Sequence, residues 1–79
     1  MQPNAGFGEN ARRLRAVARL TQMEVADRSG LHMTEVSRLE RGVKDPRLST
    51  IVRLAYGLGV EPAELLAGLG RAEAPDRPS

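Results

Sequence analysis

The sequence predicts an all-α fold of five short helices, and three observations carry that prediction. Apolar residues recur at helical spacing in several separate stretches of the 79-residue chain. Only Phe7 and Tyr56 are aromatic, so the core must come from Leu, Val, Ile and Ala, which favours packed helices over a strand-rich sandwich. Glycines follow those stretches at Gly30, Gly42 and Gly59, where each can end a helix.

The elements follow in order. Residues 1–6 carry Pro3, Asn4 and Gly6 with little to bury, and are expected to form a flexible N-terminus. The first helix is predicted over residues 7–19, with Phe7, Ala11, Leu14 and Ala18 on one stripe and Arg12, Arg13 and Arg19 on the other face. Thr21 followed by Glu24 is a capping box, so a second helix starts there and ends near Ser29. Gly30 supplies the turn. After His32, Val36 and Leu39 stand one helical turn apart in a third helix that Gly42 stops. The loop Val43-Lys44-Asp45-Pro46-Arg47 leads to a fourth helix, in which Leu48, Ile51, Leu54, Ala55 and Leu58 keep helical spacing until Gly59. Pro62, pre-set for a first helical position, begins a short fifth helix through Leu65 and Leu66. Residues 68–79 have only Leu69 to bury and are expected to be a flexible C-terminal tail, which leaves residues 7–67 as one domain.

Composition narrows the function. The formal charge is +2, but residues 1–53 carry +4 and residues 54–79 carry −2, so positive charge belongs to the half with the two-helix motif. The chain has no cysteine, which excludes disulfides and thiolate metal sites. It shows no apolar run near the roughly 20 residues of a membrane span and no signal-peptide pattern, so a soluble cytoplasmic protein is expected. One histidine and no acidic pair in a plausible pocket argue against an enzyme, and no cofactor or metal is expected.

Two helices around a tight glycine turn make a helix-turn-helix, whose second helix can enter the major groove of DNA. At about 100° per residue, Val36 and Leu39 define the buried side of the third helix. Met33, Thr34, Ser37 and Arg38 are then free to meet base edges, while Glu35 points toward the core side and is expected to be a helix-capping or surface charge rather than a reader. Arg38 is the best reader, because a guanidinium bonds guanine O6 and N7 bidentately. Arg41, Lys44 and Arg47 follow this helix, where they can clamp phosphates. His32 can touch a phosphate or a base, or be a plain boundary residue.

These residues together resemble the Xre/Cro-repressor family over residues 7–67. The likeness rests on Thr21-Gln22, Ala26, Gly30, Val36, Leu39, Glu40-Arg41-Gly42, Pro46 and Leu58-Gly59-Val60. It implies a compact five-helix lambda-repressor-like DNA-binding domain with the motif in the second and third helices. By resemblance, Gln22 bonds the DNA backbone, and Arg15 and Glu40 form a partly buried ion pair that holds the reading helix. His32 stands where most members have Ser or Thr, and Met33 replaces a commonly polar residue. The expected function is a sequence-specific regulator of transcription, acting as a homodimer on a two-fold-symmetric site of double-stranded DNA, in the manner of a phage-like repressor, an autoregulator or a restriction-modification controller. RNA polymerase is a further expected partner. Val60, Leu65, Leu66 and Leu69 are expected at the dimer surface, with ordinary core as the other reading of those leucines. A protein-interaction module, such as an antitoxin or anti-repressor, is the alternative.

Overall fold

The computed structural model describes residues 3–72, all of whose regular structure is helical. The five expected helices are α1 (Pro3–Ala18), α2 (Gln22–Ser29), α3 (Met33–Arg41), α4 (Leu48–Leu58) and α5 (Pro62–Leu65), and a further turn forms α6 (Leu69–Ala72).

α1 begins four residues before the expected start at residue 7. Asn4 and Ala5, within the segment expected to fray, are instead docked on the end of α3. A Cβ on Gly8 would stand 2.4 Å from the Glu40 carbonyl oxygen, so only the bare glycine lets the two backbones approach this closely. A Cβ on Gly42 would likewise come within 2.9 Å of the Ala5 Cα. Short-range sequence pattern carries no trace of such a contact between residues so far apart in the chain.

One side of each helix feeds a common core. Phe7, Ala11 and Leu14 of α1 meet Val25 and Ala26 of α2, Val36 and Leu39 of α3, Leu54, Ala55 and Leu58 of α4, and Leu65 of α5. Leu39 and Leu65 are fully buried, and burying a leucine contributes roughly 1.5–3 kcal/mol before entropy is counted. Two expected core residues lie elsewhere. Ala18 is exposed because α1 ends there, and Leu48 is exposed because the first residue of α4 projects past its neighbours into solvent.

The α5–α6 end is tied down by Asn10, whose Nδ2 donates to the Leu65 and Ala67 carbonyls at 2.8 and 3.0 Å. Leu69 packs half-buried against the core and α6 lies on α1, so part of the segment expected as a loose tail is ordered. The remainder of that tail, residues 73–79, and residues 1–2 lie outside the described residues.

α1 stops on Arg19, which adopts φ +60, the left-handed region that disfavours any residue with a Cβ. Its N–H and that of Leu20 donate back to the Ala16 and Arg15 carbonyls, so hydrogen bonds hold the strained residue in place. Arg19→Gly is therefore expected to stabilise the domain by about 0.5–1 kcal/mol, the relief of strain exceeding the added chain entropy. Urea denaturation monitored by helical circular dichroism measures this; unchanged or lower stability contradicts it.

Candidate nucleic-acid interface

The motif is built from local chemistry. Thr21 Oγ1 accepts from the Glu24 N–H at 3.0 Å, and Glu24 Oε1 accepts from the Thr21 N–H at 2.8 Å, which starts α2 as a full capping box. α2 ends at Gly30, with φ 75 and ψ 18, whose N–H returns to the Ala26 carbonyl. The buried Ser29 hydroxyl donates to the same carbonyl at 3.3 Å. Ser29 packs on Gly57, where a Cβ would come within 2.8 Å of the serine Cβ, so α2 and α4 cross at a point that tolerates no larger residue.

α3 is held from beneath by Val36 and Leu39 and by one ionic cluster. Arg15 of α1 donates from Nε to Glu40 Oε2 at 2.6 Å and from Nη2 to Oε1 at 3.0 Å, a bidentate pair, while its Nη1 donates to the Leu20 carbonyl at 3.0 Å. Glu40 is only 6 % exposed. Its Oε1 also accepts from Gln22 Nε2 at 3.1 Å, and Arg12 Nε lies 3.9 Å away. The hydrogen bond to Glu40 outweighs burial and, with the attraction of the carboxylate, raises the Arg15 pKa above its ordinary value. A raised guanidinium pKa means that Arg15's contribution to stability is complete below its unfolded pKa and fades only at extreme alkaline pH.

With that underside fixed, the other flank of α3 faces solvent. Thr34, Arg38, Arg41 and Met33 are exposed, and Ser37 is half-buried at the edge. His32 is the N-cap residue, exposed, with no side-chain capping bond, so the first-turn N–H groups of α3 lack the acceptor that Thr21 provides to α2. Lys44 and Arg47 follow in the loop, and Arg47 is the N-cap of α4.

Three site expectations change. Glu35, expected on the core side as a capping or surface charge, is half-buried and lines a shallow open depression with His32, Thr34, Arg38 and Lys44 on the flank beside the exposed face. Its carboxylate lies 3.9 Å from Lys44 Nζ. The helical wheel alone does not decide its place, since Glu35 stands about 40° from Leu39 and about 60° from Arg38. A second depression, of about 400 Å³, continues past Lys44 to Arg47 and Arg53; the apolar periodicity that marks α4 in the sequence does not single out Arg53. Gln22 was expected to face DNA, yet its amide nitrogen is engaged by Glu40, whose buried oxygens need donors. At the proposed dimer surface, Leu65 is fully buried in the domain's own core, Val60 and Leu69 are half-buried against it, and only Leu66, at 43 % exposure, stands free.

Among the described residues no group of three or more His, Cys, Asp or Glu could hold a metal ion, and no helix is long and apolar enough to cross a membrane. The fold and this surface define a helix-turn-helix domain of the DNA-reading type. A family model described as "Helix-turn-helix domain" matches residues 7–74. The chain is 46 % identical over 59 residues to an HTH-type transcriptional regulator, y4dJ, of Sinorhizobium fredii, covering 75 % of this chain and 77 % of that one. It is 34 % identical to the control protein C.BamHI of Bacillus amyloliquefaciens, covering 76 % and 75 % of the two chains. Among solved structures, the restriction-modification controller protein C.AhdI of Aeromonas hydrophila matches with a TM-score of 0.76 and 39 % identity, over 78 % of this chain and 94 % of that one. The chain belongs to the Xre/Cro type of the helix-turn-helix regulator family.

The Glu40 cluster makes a direct prediction. Glu40→Gln leaves the Arg15 guanidinium half-buried and without its counter-charge, and is expected to cost about 2 kcal/mol, below the figure for a fully buried pair because Arg15 reaches some solvent. Replacing both partners by Arg15→Met with Glu40→Leu should recover most of that loss. Urea melts of the three proteins check it; a single variant as stable as the parent refutes the account.

Proposed function

We propose that this protein is a sequence-specific, double-stranded DNA-binding regulator of transcription that acts as a homodimer on a two-fold-symmetric operator. The observation that carries the proposal is the division of α3 into two flanks. One is locked to α1 by Val36, Leu39 and the Arg15–Glu40 pair; the other presents Met33, Thr34 and Arg38 to solvent between basic residues. The relatives named as a transcriptional regulator and as controller proteins support the same reading.

In this reading α3 lies in the major groove. Arg38 bonds a guanine edge, Thr34 and Met33 offer methyl groups to thymine, and Ser37 contributes a hydroxyl. Lys44, Arg47 and Arg41 neutralise phosphates, with His32 at the open N-terminus of α3 beside them. Gln22, already held by Glu40, reaches a phosphate only with its remaining hydrogen-bonding capacity. One small domain buries too little surface for tight binding, so two copies on half-sites about one helical turn apart supply the affinity. The protein then acts where the chromosome is, in the cytoplasm, and activation or repression follows from the operator's position relative to RNA polymerase.

Selection of bound duplexes from a random pool, followed by binding titrations at several salt concentrations, tests the proposal. The selected sites should be palindromic, and affinity should fall steeply with salt. Failure to enrich any sequence, or no duplex binding in dilute buffer, ends it. Within that experiment, Arg38→Ala should erase preference at one base position per half-site, by about 5- to 100-fold, whereas Arg47→Gln should weaken all duplexes alike and lower the salt slope by about 1.

Glu35 belongs to the same test. A carboxylate among Arg38 and Lys44 repels phosphate but accepts from the N4 amino group of cytosine, so it acts as a base discriminator. Glu35→Gln is expected to raise non-specific affinity while relaxing cytosine preference at one position; an unchanged site preference assigns Glu35 to the Lys44 pair alone.

A further inference from the structure

Glu40 draws in more positive charge than its carboxylate can neutralise. Arg15 donates to both of its oxygens and Gln22 Nε2 donates to Oε1 as well, so Oε1 already accepts two hydrogen bonds, at 3.0 and 3.1 Å. Arg12 comes third to that oxygen. Its Nε stands 3.9 Å away, beyond hydrogen-bonding distance, and its side chain is 62 % exposed where that of Arg15 is 21 % exposed. Among the described residues Arg12 donates no hydrogen bond, and Glu40 is the only carboxylate it pairs with.

Such a pair adds little to the fold. Arg12 and Arg15 are three residues apart on one face of α1, where like charges repel. An exposed cation gains little from a carboxylate that another guanidinium already neutralises. Arg12, Arg15 and Glu40 together therefore carry one uncompensated positive charge, beside the amide of Gln22.

We infer that Arg12 is a phosphate-binding residue, and that its free guanidinium and Gln22 together receive one backbone phosphate of the duplex that α3 reads. The inference rests on the DNA-binding reading above and adds to it a contact from α1. Arg12 and Gln22 converge on the same carboxylate oxygen from different helices, so their donors are neighbours in space. Gln22 keeps one amide hydrogen on Glu40 and has a second to offer, while the guanidinium of Arg12 presents parallel donors that match two phosphate oxygens. The single negative charge of a phosphate diester cancels the excess cation. Glu40 does not repel it, because its carboxylate is buried and paired with Arg15. The location is complementary to the basic loop. Lys44 lies beside Glu35 in the first turn of α3, whereas Arg12 lies beside Glu40 in the last, so the duplex is held at both ends of the reading helix. Two separated anchors fix the tilt of α3 in the groove, and with it the aim of Arg38.

The test compares the whole parent chain with Arg12→Gln and Arg12→Lys, by urea melts and by titration of the selected duplex and an unrelated duplex at several salt concentrations. Arg12→Gln should melt with the parent, weaken both duplexes alike by about 5- to 20-fold at low salt, and lower the salt slope by about 1 per bound copy. Arg12→Lys, which keeps the charge, should keep the parent's slope. Duplexes with a neutral methylphosphonate at one backbone position at a time then locate the contact. One position in each half-site should cost the parent more affinity than it costs Arg12→Gln, and the other positions should cost the two proteins the same. An unchanged slope with an identical methylphosphonate profile in Arg12→Gln overturns the inference while the DNA reading stands. So does a loss of folding stability without a change in slope, which makes Arg12 a support for Glu40 alone. A parent that binds neither duplex removes the DNA reading itself, and this contact with it.

Discussion

The arrangement of this domain depends on one buried carboxylate. Glu40 lies at the C-terminal end of α3 and accepts hydrogen bonds from two nitrogens of Arg15 on α1 and from Gln22 on α2. A buried charge of this kind is costly unless its oxygens are satisfied, and such a pair adds little net stability over apolar packing. What it supplies is direction. The carboxylate meets all these donors only when α3 sits in one rotation and one register against both neighbours. That constraint, added to Val36 and Leu39, decides which flank of α3 is left in solvent. The approach of Gly8 to the Glu40 carbonyl reinforces it, since the backbone of α1 rests on the same residue whose side chain holds Arg15.

The exposed flank is electrostatically graded. Its N-terminal end is open, capped by no side chain, and carries the partial positive charge of the helix. Beyond the flank, Lys44, Arg47 and Arg53 extend positive charge to the start of α4. Glu35 is the exception within this field, and its placement beside Lys44 rather than in the core gives the surface a local acceptor among donors. A surface built to attract phosphate alone would be uniformly basic; this one carries a carboxylate among its cations.

A chain of 79 residues must distribute its apolar side chains among competing uses. α5 and α6 are spent on closing the core, with Asn10 fastening the α5 end to α1. α4 turns one side into the core and leaves Leu48, Val52 and Tyr56 in solvent on the other. The division of labour follows from length: a helix of three turns has opposite faces to offer, whereas a helix of one turn has a single face.

The sequence alone determined the elements whose signals are short-range. The capping box at Thr21 and Glu24, the left-handed glycine stops, and the Val36–Leu39 pair are each encoded within a few residues, and so the helix-turn-helix and the exposure of Thr34 and Arg38 were legible. The Arg15–Glu40 pair was legible only through family resemblance, since residues 25 positions apart in the chain carry no local signal of contact. Tertiary structure alone decided the rest. It ordered the first turn of α1 by setting Ala5 and Gly8 against α3, turned Gln22 toward Glu40, brought Glu35 to the reading flank, buried Leu65 and left Leu48 in water. In each case the outcome depended on which neighbouring helix covered the residue. Periodicity marks the apolar side of a helix, but its coverage is settled only when the helices have packed.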